Sequence, residues 1–146
     1  MLIGQYKSKL TDKERISVPK KIRLEFGEKL IIAKWYENCL VLVSANGWKR
    51  LTRRVLGVQE LIVQPVRDID RFIMGAAYEV ELDKQGRFII PDILKEFANI
   101  TDEVTFVGLG DRVEIWASKI WQEIEETAED KAAVAIEEIA KKEAGK

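Results

Sequence analysis

Seven cationic side chains crowd into residues 7–23: Lys7, Lys9, Lys13, Arg15, Lys20, Lys21 and Arg23. Only Asp12 and Glu14 oppose them, so the stretch has a local balance of +5. Ammonium and guanidinium groups at this density bind phosphate oxygens, and a guanidinium fork also matches the edge of a guanine. The same cluster fits a second description, a solvated cationic surface paired with an acidic surface of its own or a neighbouring chain. Other chemistry is excluded by composition. The chain has no histidine and a single cysteine, Cys39. That removes Ser–His and Cys–His nucleophile pairs, the usual nitrogen ligand of zinc, any internal disulfide and any multi-thiolate metal site. With no glycine-rich phosphate loop and no paired carboxylates in a plausible cleft, the sequence does not read as an enzyme, and no cofactor or metal is expected.

The net charge of −1 conceals a strong asymmetry. Residues 1–72 hold 15 Lys and Arg against 8 Asp and Glu, a balance of +7, whereas residues 73–146 hold 9 against 17, a balance of −8. A segregated basic half attracts polyanions, or the acidic half of the same or a second copy. At 146 residues, 47% apolar and 34% charged, the chain is globular and long enough for one modest domain or two very small ones. The start, Met1 to Lys7, has no apolar core of a signal peptide, and no apolar run approaches the ~18 residues of a spanning helix. With one unpaired thiol, these features point to the cytoplasm and to no membrane association.

The elements that position the cations come from an internal repeat. At an offset of 72, Tyr6 aligns with Tyr78, Leu10 with Leu82, Arg15 with Arg87, Pro19 with Pro91, Ile22 with Leu94 and Arg23 with Lys95. Each copy covers about 45–50 residues, and roughly 20 join them. A strand (about Ile3–Leu10, or Ala76–Leu82) leads through a tight turn into a second, short strand (Arg15–Val18, or Arg87–Ile90) to make a hairpin. Proline then opens a short helix ending at Gly27 or Asn99, residues that accept a left-handed backbone. Two more strands follow, Lys29–Ala33 with Cys39–Val43 and Glu103–Val107 with Val113–Trp116, turning at Glu37-Asn38 and Gly110-Asp111. Asn46 and Ser118 are the expected N-caps of the closing helices. In the linker, Trp48, Leu51 and Val55 share one helical face, and after Gly57 and Pro65, Val66, Ile69 and Ile73 share another. The tail after Ser118 is a longer amphipathic helix with an acidic polar face.

The second copy's turn is Asp83-Lys84-Gln85-Gly86-Arg87, with an Asp able to bond its own turn and a Gly able to take a positive φ. The first copy has Thr11-Asp12-Lys13-Glu14-Arg15 in the same frame. There Glu14 either accepts a positive φ at about 1 kcal/mol or the turn changes type.

Leu10-x-x-Lys13-x-Arg15-Ile16-Ser17-Val18-Pro19, followed by Asp83-x-x-Gly86-Arg87-x-x-Ile90-Pro91, resembles the MraZ family. Gly4, Glu37-Asn38-Cys39-Leu40, Arg71 ahead of Gly75, and Val113-Glu114-Ile115-Trp116 extend the resemblance over about residues 1–124. It implies an α+β fold, mainly β, in which two tandem AbrB-like swapped-hairpin modules form a pseudo-symmetric barrel with short helices and a C-terminal amphipathic helix. The expected division is 1–51, a DNA-facing module; 52–74, a helical linker; 75–124, an architectural module; and 125–146, the C-terminal helix, all in one compact unit. The resemblance further implies a bacterial transcriptional regulator of the division and cell-wall gene cluster. It would be nucleoid-associated, a homo-oligomeric ring of an octamer or larger, on direct repeats in promoter double-stranded DNA.

Within that expectation Arg15 is the base reader, and Lys13 reaches a base or a phosphate. Lys20, Lys21 and Arg23, at the start of the first short helix, suit phosphates. The equivalent stretch of copy two, residues 79–95, has a balance of −1 and does not attract a phosphate backbone. Arg87, flanked by acids, is expected to bond Asp83 or a neighbouring subunit. Arg50, Arg53, Arg54, Arg67 and Arg71 form a second basic group, able either to add phosphate contacts or to face the acidic half of an adjacent subunit, with the interface role favoured. Two rival readings remain: an AbrB/MazE-like antitoxin, disfavoured by the periodic tail and the paired modules, and a structural ring-forming protein without DNA specificity.

Overall fold

A computed structural model describes residues 1–57 and 62–145. Residues 58–61 of the expected 52–74 linker lie outside the described residues. The chain order is β1 (Leu2–Lys9), β2 (Arg15–Ser17), α1 (Lys20–Phe26), β3 (Lys29–Lys34), β4 (Leu40–Ser44) and α2 (Ala45–Leu56). Then come α3 (Gln64–Ile69), a π-helical turn (Asp70–Met74), β5 (Tyr78–Glu81), β6 (Arg87–Ile89) and α4 (Asp92–Phe97). The order ends with β7 (Glu103–Gly110), β8 (Val113–Ala117), α5 (Ser118–Glu126) and α6 (Ala128–Ala144).

The two copies exchange strands. Six strands form one antiparallel sheet in the order β1-β7-β8-β4-β3-β5. Thus β1 of the first copy lies on the hairpin of the second, in register from Leu2↔Gly110 to Lys9↔Glu103, and β5 lies on the hairpin of the first. The order reads the same from either edge once repeat-equivalent strands are matched, which puts the pseudo-twofold between β4 and β8. Among the described residues β2 and β6 pair with each other alone, Ile16 opposite Phe88, as a separate two-stranded ribbon.

This arrangement corrects three expectations. No barrel forms. Closure would require β1 to bond β5, but these remain the two edges of the large sheet, because the chain turns after each of them into the ribbon. Nor do β1 and β2 make a hairpin ladder; the turn closes through Thr11 N–H to Arg15 O (2.9 Å) and the strands then diverge to different partners. The fold is mixed α and β with two sheets, and helices hold more of the described residues than strands do, so it is not mainly β.

Alternation along the central strands divides the core into two layers. Leu40 and Leu42 of β4 face the ribbon, α1 and α4, where they meet Ile16, Val18, Ile22, Phe88, Ile90, Leu94 and Phe106. Val41 and Val43 face the other side, with Trp35, Leu51, Ile73, Val107 and Trp116 under α2, the π-turn and α5. From Leu40 to Val43 both faces of β4 are therefore apolar, as in a strand buried on both sides. Cys39 is buried in the second layer, a small core residue.

Local signals fall close to their expected places. Glu37 and Asn38 both have φ near +60° at the β3–β4 turn, and Gly27 and Asn99 take positive φ where α1 and α4 stop. The caps differ. Ser44, not Asn46, caps α2 and accepts from Gly47 N–H at 2.9 Å. Ser118 lies inside α5, and its hydroxyl bonds that of Thr105 at 2.9 Å. The tail is broken at Thr127, and α6 beyond it is exposed throughout.

Candidate nucleic-acid interface

Side chains alternate across the ribbon. Ile16 and Phe88 point inward and are buried, while Arg15 and Ser17 of β2 and Arg87 and Ile89 of β6 occupy the outer face. The register puts Arg15 opposite Ile89 and Ser17 opposite Arg87. Each strand is anchored by its turn. In the first copy, Thr11 Oγ1 accepts from Arg15 N–H (3.1 Å), and Glu14 N–H donates to Thr11 O (2.8 Å) with Glu14 at φ 60°. In the second, Asp83 Oδ1 accepts from Gln85 and Arg87 N–H, each at 2.9 Å, with Gly86 at φ 75°. The turn type is therefore kept in both copies, and Glu14 takes the strained backbone that Gly86 adopts freely.

The five expected contact residues divide between the two ends of the ribbon. Lys13 is exposed in the first turn, and Arg15, half-buried, opens β2 beside it. That end lies against α4, where Lys95 Nζ bonds Glu14 Oε1 at 2.8 Å. Lys20 and Lys21 are the first two residues of α1, both exposed. They follow β2 at its other end, where Val18 N–H donates to Gly86 O at 2.9 Å. Arg23 differs from the others. It is half-buried, its Nε donates to Val18 O at 3.0 Å, and its side chain covers Gly86 so closely that a Cβ there would lie 2.7 Å from Arg23 Cδ.

Arg87 bonds Asp83 within its own turn, Nε to Oδ2 at 3.1 Å. The Arg87 N–H, then that of Gln85 and the Arg87 guanidinium, hold the Asp83 carboxyl below the usual carboxylate range. The second basic group is partly engaged within the chain: Arg54 pairs with Asp111, Arg71 with Asp68 at 3.4 Å, and Arg67 donates to Ile62 O at 2.8 Å. Lys49, Arg50 and Arg53 stand exposed along α2.

Ile89 is a neighbour of Arg15 that local sequence does not reveal, because the β2–β6 pairing that sets them side by side joins segments far apart in the chain. Its signal was the repeat offset, which makes Ile89 the counterpart of Ser17. Among the described residues, no group of three or more His, Cys, Asp or Glu is placed to hold a metal ion. No described helix is long and apolar enough to cross a membrane.

Residues 73–142 match the family model described as "MraZ protein, putative antitoxin-like". The chain is 39% identical over 140 residues to the protein named transcriptional regulator MraZ of Caldanaerobacter subterraneus subsp. tengcongensis, covering 96% of this chain and 94% of that one. It is also 39% identical over 142 residues to the protein of the same name from Caldicellulosiruptor saccharolyticus, covering 97% and 96%. The protein of that name from Leuconostoc citreum is 39% identical over 131 residues, covering 89% and 91%.

Proposed function

This chain belongs to the MraZ family, and on that premise we propose that it is a sequence-specific, DNA-binding transcriptional regulator of the division and cell-wall gene cluster. It acts as a regulator and not as an enzyme. The observation that carries the reading is Arg15 on the outer face of the ribbon, with exposed Lys13 beside it and exposed Lys20 and Lys21 at the ribbon's other end. A two-stranded ribbon fits the major groove, where a guanidinium fork bonds guanine O6 and N7. Lys13, Lys20 and Lys21 meet phosphates and fix the register without reading sequence. Arg23, anchored to Val18 O, chiefly holds α1 against the second copy's turn, and a phosphate contact is its secondary role.

A few phosphate contacts hold a duplex only weakly at physiological salt. We assign the missing affinity to a homo-oligomeric ring that presents several ribbons to a row of direct repeats, so that later contacts become intramolecular. The acidic, exposed α6 of one copy suits the exposed Lys49, Arg50 and Arg53 of the next, a head-to-tail contact of the kind that closes rings. Within one subunit we place DNA contact in residues 1–51 and architecture in 75–124, with the ribbon contributed by both. The protein works in the cytoplasm at the nucleoid.

The test is a fluorescence titration of the full-length protein with the promoter upstream of its own gene, at two salt concentrations, beside Arg15→Ala. Loss of specific binding in the variant, with residual salt-sensitive binding and an intact oligomer by light scattering, supports the reading. Unchanged affinity overturns it.

A further inference from the structure

An exposed isoleucine stands beside the arginine that faces outward. Ile89 is 53% exposed and is the register partner of Arg15, on the solvent side of a ribbon whose opposite side is buried. Directly opposed residues of an antiparallel pair have Cβ atoms about 4.5–5.5 Å apart. Base pairs stack at about 3.4 Å, so a side chain at that separation meets a base pair one or two steps from its neighbour's. The only apolar group on a major-groove edge is the 5-methyl of thymine.

We propose, on the reading that the ribbon enters the major groove, that Ile89 is a base-specificity residue contacting a thymine methyl one or two base pairs from the guanine bonded by Arg15. The contact also gives the ribbon a direction. Arg15 and Arg87 are repeat equivalents, so the outer face is two-fold in its arginines. Ser17 and Ile89 are equivalents as well, and they differ, one able to hydrogen-bond any base edge and the other apolar. Arg87 is further held by Asp83, whereas Arg15 has Thr11 in that place, which accepts from its backbone. A ribbon with one free arginine and one isoleucine reads an asymmetric site, as successive repeats in one orientation require.

The experiment uses the full-length protein and a duplex it enriches from a random-sequence pool, with each thymine replaced in turn by deoxyuridine, which removes only the methyl. The wild type is expected to lose about fourfold in affinity at one position, the worth of one buried methyl-sized group. Ile89→Ala and Ile89→Ser should bind that duplex equally well with thymine or deoxyuridine there, their oligomer unchanged by light scattering. The proposal is overturned if no thymine is sensitive in the wild type, or if both variants keep the wild-type sensitivity. It is equally overturned if the variants dissociate the oligomer while the thymine profile stays the same, which would make Ile89 a subunit contact. Arg15→Ala is run alongside. If that variant keeps full specific binding, the groove-reading ribbon itself fails, a result distinct from loss of the thymine effect alone.

Discussion

Lys95 of the second copy bonds Glu14 of the first, Nζ to Oε1 at 2.8 Å, and the repeat-equivalent pair, Arg23 and Gly86, makes the mirrored contact. Each short helix thus sends a cation onto the other copy's turn. The two contacts solve the same backbone problem differently. Gly86 adopts φ 75° freely and lets Arg23 lie over it, while Glu14 adopts φ 60° under strain and bonds Lys95. The strain is about 1 kcal/mol, and an ion pair with one exposed partner contributes about 0–1 kcal/mol. Glu14→Gly is therefore expected to be nearly neutral in the wild type and stabilising by about 1 kcal/mol on a Lys95→Ala background. Urea denaturation of the four proteins of that cycle measures the coupling.

Gly86→Ala should be costly. The new Cβ would displace Arg23 and break its bond to Val18 O, worth about 0.5–1.5 kcal/mol, besides the backbone strain of about 1 kcal/mol. Thermal unfolding should show a total loss of about 2 kcal/mol, falling to about 1 kcal/mol when Arg23 is already alanine. An equal loss in both backgrounds would mean that Arg23 does not hold the turn.

What could be read from the chain was its local chemistry. The Glu37-Asn38 turn, the stops at Gly27 and Asn99 and the outward Arg15 follow from residue types a few positions apart. Strand pairing was not readable, because β1 and β7 lie a hundred residues apart and alternating strands fit several partners equally. Hence the expected barrel gave way to an open sheet, and the expected β1–β2 hairpin to a separate β2–β6 ribbon. The cap of α2 misled for a different reason: Ser44 and Asn46 are both good caps, and only the backbone shows which carbonyl begins the helix. At Thr127 the apolar spacing runs on while the helix breaks.

Charge reversal should separate base reading from phosphate binding. Lys20→Glu with Lys21→Glu is expected to weaken binding to every duplex alike. It should also flatten log K against log salt by about 0.9 for each phosphate no longer neutralised. Arg15→Ala should instead erase the difference between specific and random DNA. Filter binding across a salt series distinguishes them; an unaltered slope in the double variant would remove the two lysines from the interface.

Two carboxylates should give opposite pH signatures. Glu114 sits half-buried on β8 opposite Val41, and burial raises its pKa although Trp116 Nε1–H donates to it at 3.0 Å. An acid with a raised folded-state pKa favours folding below its unfolded value, and that contribution is lost as pH rises through the folded one. Glu114→Gln should therefore stabilise the protein at neutral pH and lose its advantage in acid. Asp83, with a lowered pKa, stabilises above its unfolded value and loses this as pH falls. Asp83→Asn should be destabilising at neutral pH, with the difference closing in acid. Melting curves from pH 3 to 8 should show the two variants moving in opposite directions from the wild type.

Ending the chain at Thr127 should leave the fold and break the assembly. Every described side chain of α6 is exposed, including Val134, Ile136 and Ile139, so its removal exposes no core and should change subunit stability by no more than about 0.5 kcal/mol. Those apolar residues share the helix with Glu129, Asp130, Glu137 and Glu138, and each stays more than half exposed on its own subunit. The exposed cations of α2 on a neighbour offer partners for those carboxylates. The truncated protein should sediment as a smaller species and bind a single repeat as before. On a three-repeat operator it should lose the about 10²–10⁴-fold advantage that linked sites confer. A truncated protein that kept both its mass and its preference for three repeats would place the subunit contact elsewhere, with the free edges of β1 and β5 the next surfaces to test.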